Sequence, residues 1–407
     1  MTGIASFITA SPSSFHAAET AAAWLAKEGF VRQNAAEPWD ANPGGHVLVR
    51  DGAMMAWWVP EGEPKGFRIL GSHTDSPGFK LKANPALQSA GWEQAGVEVY
   101  GGPLLHTWFD RELALAGQVA LADGSVRLVH TDPVLRIPSL AIHLYREDTL
   151  KIDRQLHVQP LLGTDTPILD VIAGHLGVDT QDILGHDLIT IDTQEPRVFG
   201  ADHDLFASGR LDNLSSVWAS VQALIGAVQS GDAGDDVLVV AAFDHEEVGS
   251  ASVTGAGGAL LEQTLRRTAQ ALGREPEAMF AQSYAVSADA AHAVHPNYPD
   301  KHDPVNRPVM GGGPALKINA NQRYATTAAG AARWELVCRL AGVHSQTFVG
   351  NNAVPCGSTI GPISSTRLGI PTIDVGIPLL SMHSCRELAG TWDLEAFPQA
   401  LEAFLVA

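Results

Sequence analysis

The chain contains short apolar runs that end abruptly in ionisable residues. The clearest run, residues 237–243, is rich in valine and is followed directly by Asp244, His245, Glu246 and Glu247. A short continuous apolar run is typical of a central strand that is buried on both faces. Adjacent carboxylates at the end of such a strand need a cation, a metal ion or water nearby, because burying them without a partner is costly. The alternative for this stretch is a solvated loop after a strand.

Other runs repeat this pattern. The ionisable residues that follow further apolar runs are His73 and Asp75, Asp289, and His383. Pro77 cannot donate to a strand ladder and restricts the residue before it, so the chain is expected to leave the sheet there. In open α/β sheets, ligands bind in the crevice outside the carboxyl ends of the strands. The pattern therefore predicts that these polar side chains converge on one edge of a sheet.

Helical periodicity alternates with strand signals over much of the chain. The predicted helices span residues 14–27, 214–228, 260–272, 326–340 and 359–368. The predicted strands include a hairpin of residues 46–50 and 54–59 around Asp51-Gly52, and later strands at 347–350 and 372–376. Asp212 or Asn213 is the expected N-cap of the second helix. This alternation predicts βαβ units and a largely parallel sheet, which is an α/β fold.

Residues 80–206 differ from the rest, with short alternating runs interrupted by Gly and Pro. They predict a β-rich insertion that carries some helix, for example at 167–176. A chain of 407 residues also exceeds what one hydrophobic core usually serves, so two domains are expected. The predicted boundaries are a main domain of residues 1–84 and 207–407, interrupted by an inserted domain of residues 85–206.

Composition narrows the function classes. The formal net charge of -19, with no run of Lys and Arg, argues against nucleic acid as a partner. The first residues lack a basic region before an apolar core, and no later window is apolar enough to span a bilayer, which predicts a cytoplasmic protein without a membrane partner. The three cysteines, Cys338, Cys356 and Cys385, resemble neither a disulfide framework nor a metal site and are expected to be free thiols.

The polar residues at the predicted sheet edge suit a metal centre. They are His73, Asp75, Asp212, Glu246, Glu247, Asp289 and His383. Oxygen and imidazole ligands without thiolate favour catalytic zinc, manganese or cobalt over a structural zinc. Two ions sharing a carboxylate can activate water and polarise a carbonyl oxygen, which is what amide hydrolysis requires. Taken singly, each residue also has an ordinary role, such as a helix cap for Asp212 or a core histidine for His383.

The division of labour within this set follows from chemistry. One carboxylate must stay off the metal to take the proton of the water, so one of Glu246 and Glu247 can ligate while the other is the base. His73 and Asp75 project to the same side of an extended segment, so Asp75 can orient the imidazole of His73.

Five segments resemble the motifs of the aspartyl aminopeptidase family of metallopeptidases. They are SHTDSPGFKLK, RLDNLSS, DHEEVGS, SADAAHAVHPNY and MHSCRE, which lie in the family's order between about Ser72 and Glu387. The resemblance implies a three-layer dinuclear zinc exopeptidase fold with an inserted dimerisation domain. It also implies a homo-oligomer, with dimers assembled into a dodecameric shell, and removal of N-terminal Asp or Glu from peptides.

The resemblance also assigns roles to individual residues. His73 and Asp289 would ligate one metal ion, Glu247 and His383 the other, and Asp212 would bridge the two. Glu246 becomes the general base, and His143 would reach the active site of a neighbouring subunit. Lys317 resembles the family's basic substrate contact, while His292 and Tyr324 are further candidate substrate contacts. The alternatives are a buried strand histidine for His143 and a solvated strand lysine for Lys317.

Two other functions stay open at this point. A deacylase or a general aminopeptidase could use the same fold and the same two ions. A non-catalytic shell protein could keep the fold after losing the chemistry, although every expected ligand and the expected base are present. The expected cofactor is a pair of divalent ions, zinc first, with manganese or cobalt as alternatives.

Overall fold

The computed structural model describes residues 1–147, 149–231 and 234–407, and its strands form three sheets. The strands are β1 Val31–Arg32, β2 Gly44–Arg50, β3 Ala53–Val59, β4 Phe67–His73, β5 Gly78–Ser89, β6 Trp92–Tyr100, β7 Leu113–Leu121, β8 Val126–His130, β9 Leu161–Gly163, β10 Ile183–Asp192, β11 Arg197–Phe199, β12 Leu205–Ser208, β13 Val237–Phe243, β14 Tyr284–Ala288, β15 Ala291–His292, β16 Ala315–Ile318, β17 Gln346–Val349, β18 Thr372–Gly376, β19 Pro378–Leu380 and β20 Glu387–Gly390. The α-helices are α1 Thr2–Ala10, α2 Ser14–Lys27, α3 Ile168–Leu176, α4 Leu211–Gln229, α5 Leu260–Ala271, α6 Pro276–Ala281, α7 Ala328–Ala341, α8 Ile360–Leu368 and α9 Thr391–Val406.

The largest sheet has nine strands in the order β1-β2-β3-β13-β4-β14-β18-β16-β17. Its centre, β13-β4-β14-β18, is entirely parallel, and the antiparallel pairs lie to either side of it. Parallel central strands are usually covered by helices on both faces, which makes their sequences nearly continuous apolar runs. The structure therefore confirms the predicted α/β fold with a mostly parallel central sheet.

The fully buried strand β13 shows how the layers are arranged. Leu238, Val240 and Ala242 belong to one apolar core with α2, α4 and α9, whereas Val239 and Phe243 belong to a second core with α5 and α8. Successive side chains of a strand point to opposite faces, so one strand can serve two cores. Helices on both faces give the three layers expected from the sequence.

A second sheet lies in the part of the chain with alternating short runs. It has six strands in the order β8-β7-β10-β5-β6-β9, and α3 packs with it in a separate apolar core. As expected at Pro77, the chain leaves the nine-stranded sheet after β4, and β5 starts the six-stranded sheet at Gly78. The division at residues 85 and 206 stays a prediction. A third sheet, β11-β12-β20-β19-β15, brings together strands from residues 197–208 and from residues 291–390.

Several local predictions are confirmed, and some elements differ. Helix α2 spans the predicted residues 14–27, and Ser13 caps it by accepting a hydrogen bond from the His16 amide. The hairpin β2-β3 is antiparallel as expected. The helices α1 and α9 are not among the sequence predictions. Cys338 and Cys385 are buried, Cys356 is partly buried, and all three are free thiols. No helix in the described ranges is long and apolar enough to cross a membrane.

Candidate metal centre

The strand ends of the nine-stranded sheet position the candidate ligands. His73 is the last residue of β4 and pairs in register with Phe243, the last residue of β13. The turn after β13 contains Glu246 and Glu247, and Asp289 directly follows β14. Because β4, β13 and β14 are neighbouring parallel strands, their carboxyl ends lie at one edge, where the sequence predicts the site.

One group of ligand atoms surrounds the imidazole of His73. Nε2 of His73 lies 3.3 Å from Oδ1 of Asp212 and 3.6 Å from Oδ1 of Asp289. It is also 4.0 Å from Oε2 of Glu246. All three residues of the group His73, Asp212 and Asp289 are buried. A cluster of oxygen and imidazole donors facing one point is the arrangement that a divalent ion requires.

A second group forms around His383, and Asp212 belongs to both. Nε2 of His383 lies 3.3 Å from Oδ2 of Asp212 and 3.4 Å from Oε1 of Glu247. The two oxygens of the Asp212 carboxylate therefore face different histidines, Oδ1 toward His73 and Oδ2 toward His383. One carboxylate directed at two clusters is the geometry that a bridging ligand needs.

The donor atoms fit the metal ions that the sequence predicts. Within the described ranges, three sets of ligand atoms each lie within 4.8 Å of one another. They are His73, Asp212 and Asp289; His73, Glu246 and Glu247; and Asp212, Glu247 and His383. Oδ1 of Asp212 and Oε1 of Glu247 are buried and have no hydrogen-bond partner in the described part of the chain. Buried carboxylate oxygens without a donor are costly, and coordination of a cation would satisfy both.

Asp75 organises the centre without joining any of these sets. Its backbone carbonyl oxygen lies 3.0 Å and its Oδ1 3.3 Å from Nδ1 of His73, on the side of the ring that faces away from the cluster. The carboxylate also accepts the backbone amides of Glu246 at 3.0 Å and Glu247 at 3.1 Å. The hydroxyl of Tyr100 donates to Oδ2 at 2.8 Å. Asp75 thus holds the ring of His73 with its carbonyl and carboxylate oxygens, and its carboxylate also holds the turn that carries both glutamates.

The electrostatics of the site reflect burial opposed by close pairing. Burial alone would lower the pKa of His73, but the close carboxylates of Asp212, Asp289 and Asp75 raise it well above its ordinary value. Burial likewise disfavours the charged form of Asp212, yet His383 and His73 hold its pKa far below the usual range. Burial raises the pKa of Glu246 to about 7, and the nearby Asp289 and Asp212 carboxylates act in the same direction, against His73.

Glu246 and Glu247 occupy different positions despite their adjacency. Glu247 contacts His383 in the second group, and its side chain is only 4% exposed. The side chain of Glu246 is 17% exposed and approaches the first group only at 4.0 Å. The set of His73, Glu246 and Glu247 also brings both carboxylates within reach of one ion. The division into one base and one ligand therefore stays a prediction, and the greater distance and exposure of Glu246 favour it as the base.

The start of helix α4 differs from the sequence prediction. Asp212 and Asn213 have non-helical backbone angles, and no side chain caps this helix. The expected N-cap role of Asp212 or Asn213 is therefore wrong. The physical reason is that the carboxylate of Asp212 faces two histidines, while the side-chain NH₂ group of Asn213 donates to the backbone carbonyl of Ala288.

The candidate substrate residues lie beside the first group. Lys317 on β16 is 2% exposed, and its Nζ lies 3.7 Å from Oδ2 of Asp289 and 5.3 Å from the centre of the Tyr324 ring. It is therefore not the solvated lysine of the alternative. His292 and Tyr324 line a cavity of about 210 Å³. The other side chains lining this cavity include Lys301, His302 and Arg307, and no Asp or Glu is among them.

His143 lies outside this constellation. It is exposed, in a turn between the strands β8 and β9, and its neighbours Leu140, Ile142 and Leu144 are 61%, 65% and 74% exposed. The alternative of a buried strand histidine is therefore wrong. A role in another subunit's active site stays a prediction.

Three positions contribute to the centre without a sequence prediction. Tyr100 holds Asp75, and the carbonyl of Gly102 lies 3.1 Å from Nδ1 of His383. Glu387 accepts the backbone amides of His383 at 2.6 Å and Asp212 at 2.9 Å. Apart from the contact of Glu387 with His383, which are four residues apart, these contacts join residues at least 25 apart in the chain, so spacing carries no signal for them. Only Glu387 was within reach of sequence reasoning, as the last residue of the MHSCRE motif.

Comparisons with known proteins agree with this geometry. Residues 7–405 match the family model described as aminopeptidase I zinc metalloprotease (M18). A protein of Streptomyces avermitilis called probable M18 family aminopeptidase 2 is 49% identical over 98% of this chain and 96% of its own length. A chain of the Ape4 and Nbr1 complex superposes with a TM-score of 0.95, at 35% identity, covering 99% of this chain and 84% of that one. The yeast mApe1 dodecamer gives 0.87 at 27% identity, covering 99% and 95%.

Proposed function

Because the chain belongs to the aminopeptidase I zinc metalloprotease (M18) family, we propose that it removes N-terminal Asp or Glu from peptides at a site that holds two divalent ions. The family resemblance stated from the motifs is confirmed, since M18 includes aspartyl aminopeptidase. Family membership makes the chain a metalloaminopeptidase. The acidic preference, the two ions and the residue roles are the proposal.

The two faces of Asp212 carry the proposal for two ions. His73 and Asp289 would hold one ion, Glu247 and His383 the other, with Asp212 between them, because its two oxygens lie 3.3 Å from the two histidines. When bound, such ions supply Lewis-acid polarisation of the scissile carbonyl and lower the pKa of a water molecule. Zinc is the first choice given the family, with manganese or cobalt as alternatives.

The residues of this chain would then move the protons. Glu246 would accept a proton from the attacking water as the new carbon–oxygen bond forms at the carbonyl carbon. It would return that proton to the leaving amine as the carbon–nitrogen bond breaks. Its position supports this role, because its carboxylate points toward the first group from 4.0 Å and keeps access to solvent. Asp75 would keep Nε2 of His73 directed at the ion by holding Nδ1.

The charge around the substrate side supports an acidic preference. The protein as a whole carries a net charge of -19, yet the cavity beside His292 is lined by Lys301, His302 and Arg307 without a carboxylate. Lys317 adds a buried ammonium beside Asp289. A carboxylate side chain of a substrate would find the positive charges of Lys301, Arg307 and Lys317 in this region.

Assembly into a dodecamer is the proposed oligomeric state. The likeness to the yeast mApe1 dodecamer supports it. The exposed apolar side chains Leu140, Ile142 and Leu144 flank His143 and would be covered by another copy of the chain. This arrangement would assign dimerisation to residues 85–206 and allow His143 to reach a neighbouring site. A cytoplasmic location completes the proposal.

One combined experiment tests the function. Metal content is measured by mass spectrometry, and hydrolysis is compared on matched peptides that begin with Glu, Asp or Leu. We expect about two ions per chain and cleavage of the Glu and Asp peptides well above that of the Leu peptide. Preference for Leu would support a general aminopeptidase, and cleavage of acylated substrates alone would support a deacylase. Bound metal without any hydrolysis would support a non-catalytic shell protein.

A further inference from the structure

Glu387 is a buried carboxylate that the proposed reaction does not use. It is the first residue of β20 and is only 2% exposed. Its Oε1 accepts the amide of His383 at 2.6 Å, and its Oε2 accepts the amide of Asp212 at 2.9 Å. Both oxygens are therefore committed to the backbone of two residues that face the metal centre.

Asp212 and His383 come from different parts of the chain, and Glu387 at the start of β20 contacts the backbones of both. Glu387 pairs with Ser208 in the ladder of β20 and β12, and the chain reaches Asp212 four residues after Ser208. In the other direction, the chain turns back from β20 to His383, whose backbone is in the left-handed region with a φ of 66°. Glu387 thus joins the start of α4 to the loop that carries His383.

The two candidate metal groups depend on this contact to different degrees. In the first group, His73 ends a central strand, and the Asp289 amide donates to Val375 of the neighbouring strand at 2.9 Å. The sheet itself therefore sets the positions of these two ligands. In the second group, His383 lies on an irregular loop. The contacts that hold its backbone amide and its ring are Glu387 and the carbonyl of Gly102.

We propose that Glu387 is a positioning residue that sets the affinity of the second metal position, the one formed by Asp212, Glu247 and His383. The inference rests on the proposed two-ion function and deepens it. Glu387 fixes the distance between the backbones of Asp212 and His383, so their side chains stay directed at one point. Loss of this contact removes support from His383 and Asp212, two of the three ligands of the second group, whereas in the first group only Asp212 is affected, because His73 and Asp289 keep their places in the sheet.

Replacement of Glu387 by Gln separates this role from simple packing. The amide has nearly the same size, but it offers only one acceptor oxygen, so its NH₂ group faces one of the two backbone amides. A buried N–H then loses its partner, and the loop moves to recover one. Asp393→Asn is a matched control, because Asp393 is also fully buried and accepts two backbone amides, those of Gly311 and Gly313, each at 2.7 Å.

The test is a titration of Zn²⁺ into metal-free protein in competition with a chromophoric chelator, for wild type, Glu387→Gln and Asp393→Asn. Residues that support metal ligands typically change metal affinity about 10- to 100-fold when replaced. We expect Glu387→Gln to weaken one of two binding steps by this amount and the other by less than about threefold. Asp393→Asn should leave both steps within about threefold of wild type, whatever it does to thermal stability.

A double variant identifies which position is affected. His383→Ala removes a ligand of the second group, so adding Glu387→Gln to it should cost the remaining ion less than about threefold. If Glu387→Gln does not fold, Glu387→Asp provides the same comparison, because its shorter carboxylate cannot reach both amides.

Unchanged affinity for both ions would overturn the inference. Equal weakening of both ions, or the same loss in Asp393→Asn, would also overturn it. Binding of a single ion by wild-type protein would contradict both this inference and the proposed two-ion function. Two ions with equal weakening would contradict the inference alone.

Discussion

The phenol of Tyr100 donates a 2.8 Å hydrogen bond to the carboxylate of Asp75, across the boundary between the six-stranded and nine-stranded sheets. Tyr100 ends β6, and Asp75 follows β4 by two residues. Asp75 also contacts the ring of His73 and accepts the backbone amides of Glu246 and Glu247. The hydroxyl of Tyr100 therefore stabilises the residue that positions these three side chains.

Replacement of Tyr100 by Phe is expected to lower kcat about tenfold. A hydrogen bond to a charged group contributes about 1.5 to 3 kcal/mol, and about 1.4 kcal/mol corresponds to a factor of ten in rate. Steady-state kinetics with an N-terminal Glu peptide would measure the loss, with zinc content as a parallel check. Tyr145→Phe, which removes an exposed hydroxyl bonded to Thr149, is the control. Full activity in Tyr100→Phe would mean that Asp75 is held well enough without it.

Replacement of Glu246 by Gln is expected to lower kcat about a thousandfold, since a positioned general base typically contributes about 10²- to 10⁴-fold. The proposed ligands of both ions stay in place, so zinc content should be close to that of wild type. Glu247→Gln is the comparison variant, because its replacement should reduce zinc content as well as kcat. If Glu246→Gln loses an ion and Glu247→Gln does not, the two roles are exchanged.

Replacement of Lys317 by Met is expected to lower kcat/KM for Glu peptides about 100-fold more than for Leu peptides. A charge-assisted contact is roughly twice as strong as a neutral one, and its loss leaves the substrate carboxylate unpaired. Because Lys317 also contacts Asp289, the rate with both peptides should fall somewhat, and the ratio between them is the diagnostic quantity. Lys27→Met, which removes an exposed lysine at the end of α2, is the control. Equal losses for both peptides would indicate that Lys317 serves Asp289 and not the substrate.

His16 is expected to make stability fall as the pH drops below about 6.5. Burial lowers its pKa to about 4, and nearby His130 and Arg210 act in the same direction. The unfolded chain therefore takes up a proton below pH 6.5, while the folded chain does so only near pH 4, so stability is complete above this window and is lost within it.

The variant His16→Gln should flatten this dependence. After allowance for the partly exposed ring, we expect the fall in unfolding free energy between pH 7.5 and 5 to shrink by about 1 kcal/mol. Urea denaturation of metal-free wild type and variant would measure it, because protonation of the metal ligands then affects both proteins alike. Parallel pH profiles for the two proteins would contradict the prediction.

The sequence predicted the elements whose residues carry a local signal. The boundaries of α2 are set by the Ser13 cap and a regular apolar face, and β13 is recognisable because it serves two cores. Helix α1 carries no clear local signal because it is short and has no side-chain cap, and α9 carries none because Pro398 lies inside it. Their stability comes from packing on α2 and α4, which no local pattern records.

Prediction of the site residues from sequence is limited in the same way. Ligands at strand ends were predictable, since an apolar run followed by a carboxylate is visible in the chain. Tyr100 and Gly102 were not, because their partners lie more than 20 residues away and their own residue types are unremarkable in a strand and a turn. Asp212 misled the prediction, since an acid before a helical pattern usually caps the helix, and here two histidines compete for it.

The contacts of Tyr100 and Gly102 restrict how this protein could be shortened. An engineered version that joins residue 84 to residue 207 would keep every proposed metal ligand and the proposed base. It would lack the donor to Asp75 and the carbonyl that faces Nδ1 of His383. A minimal catalytic scaffold would therefore need to rebuild residues 100–102 in place, for instance as a short grafted strand and turn, before its metal site could be compared with that of the intact chain.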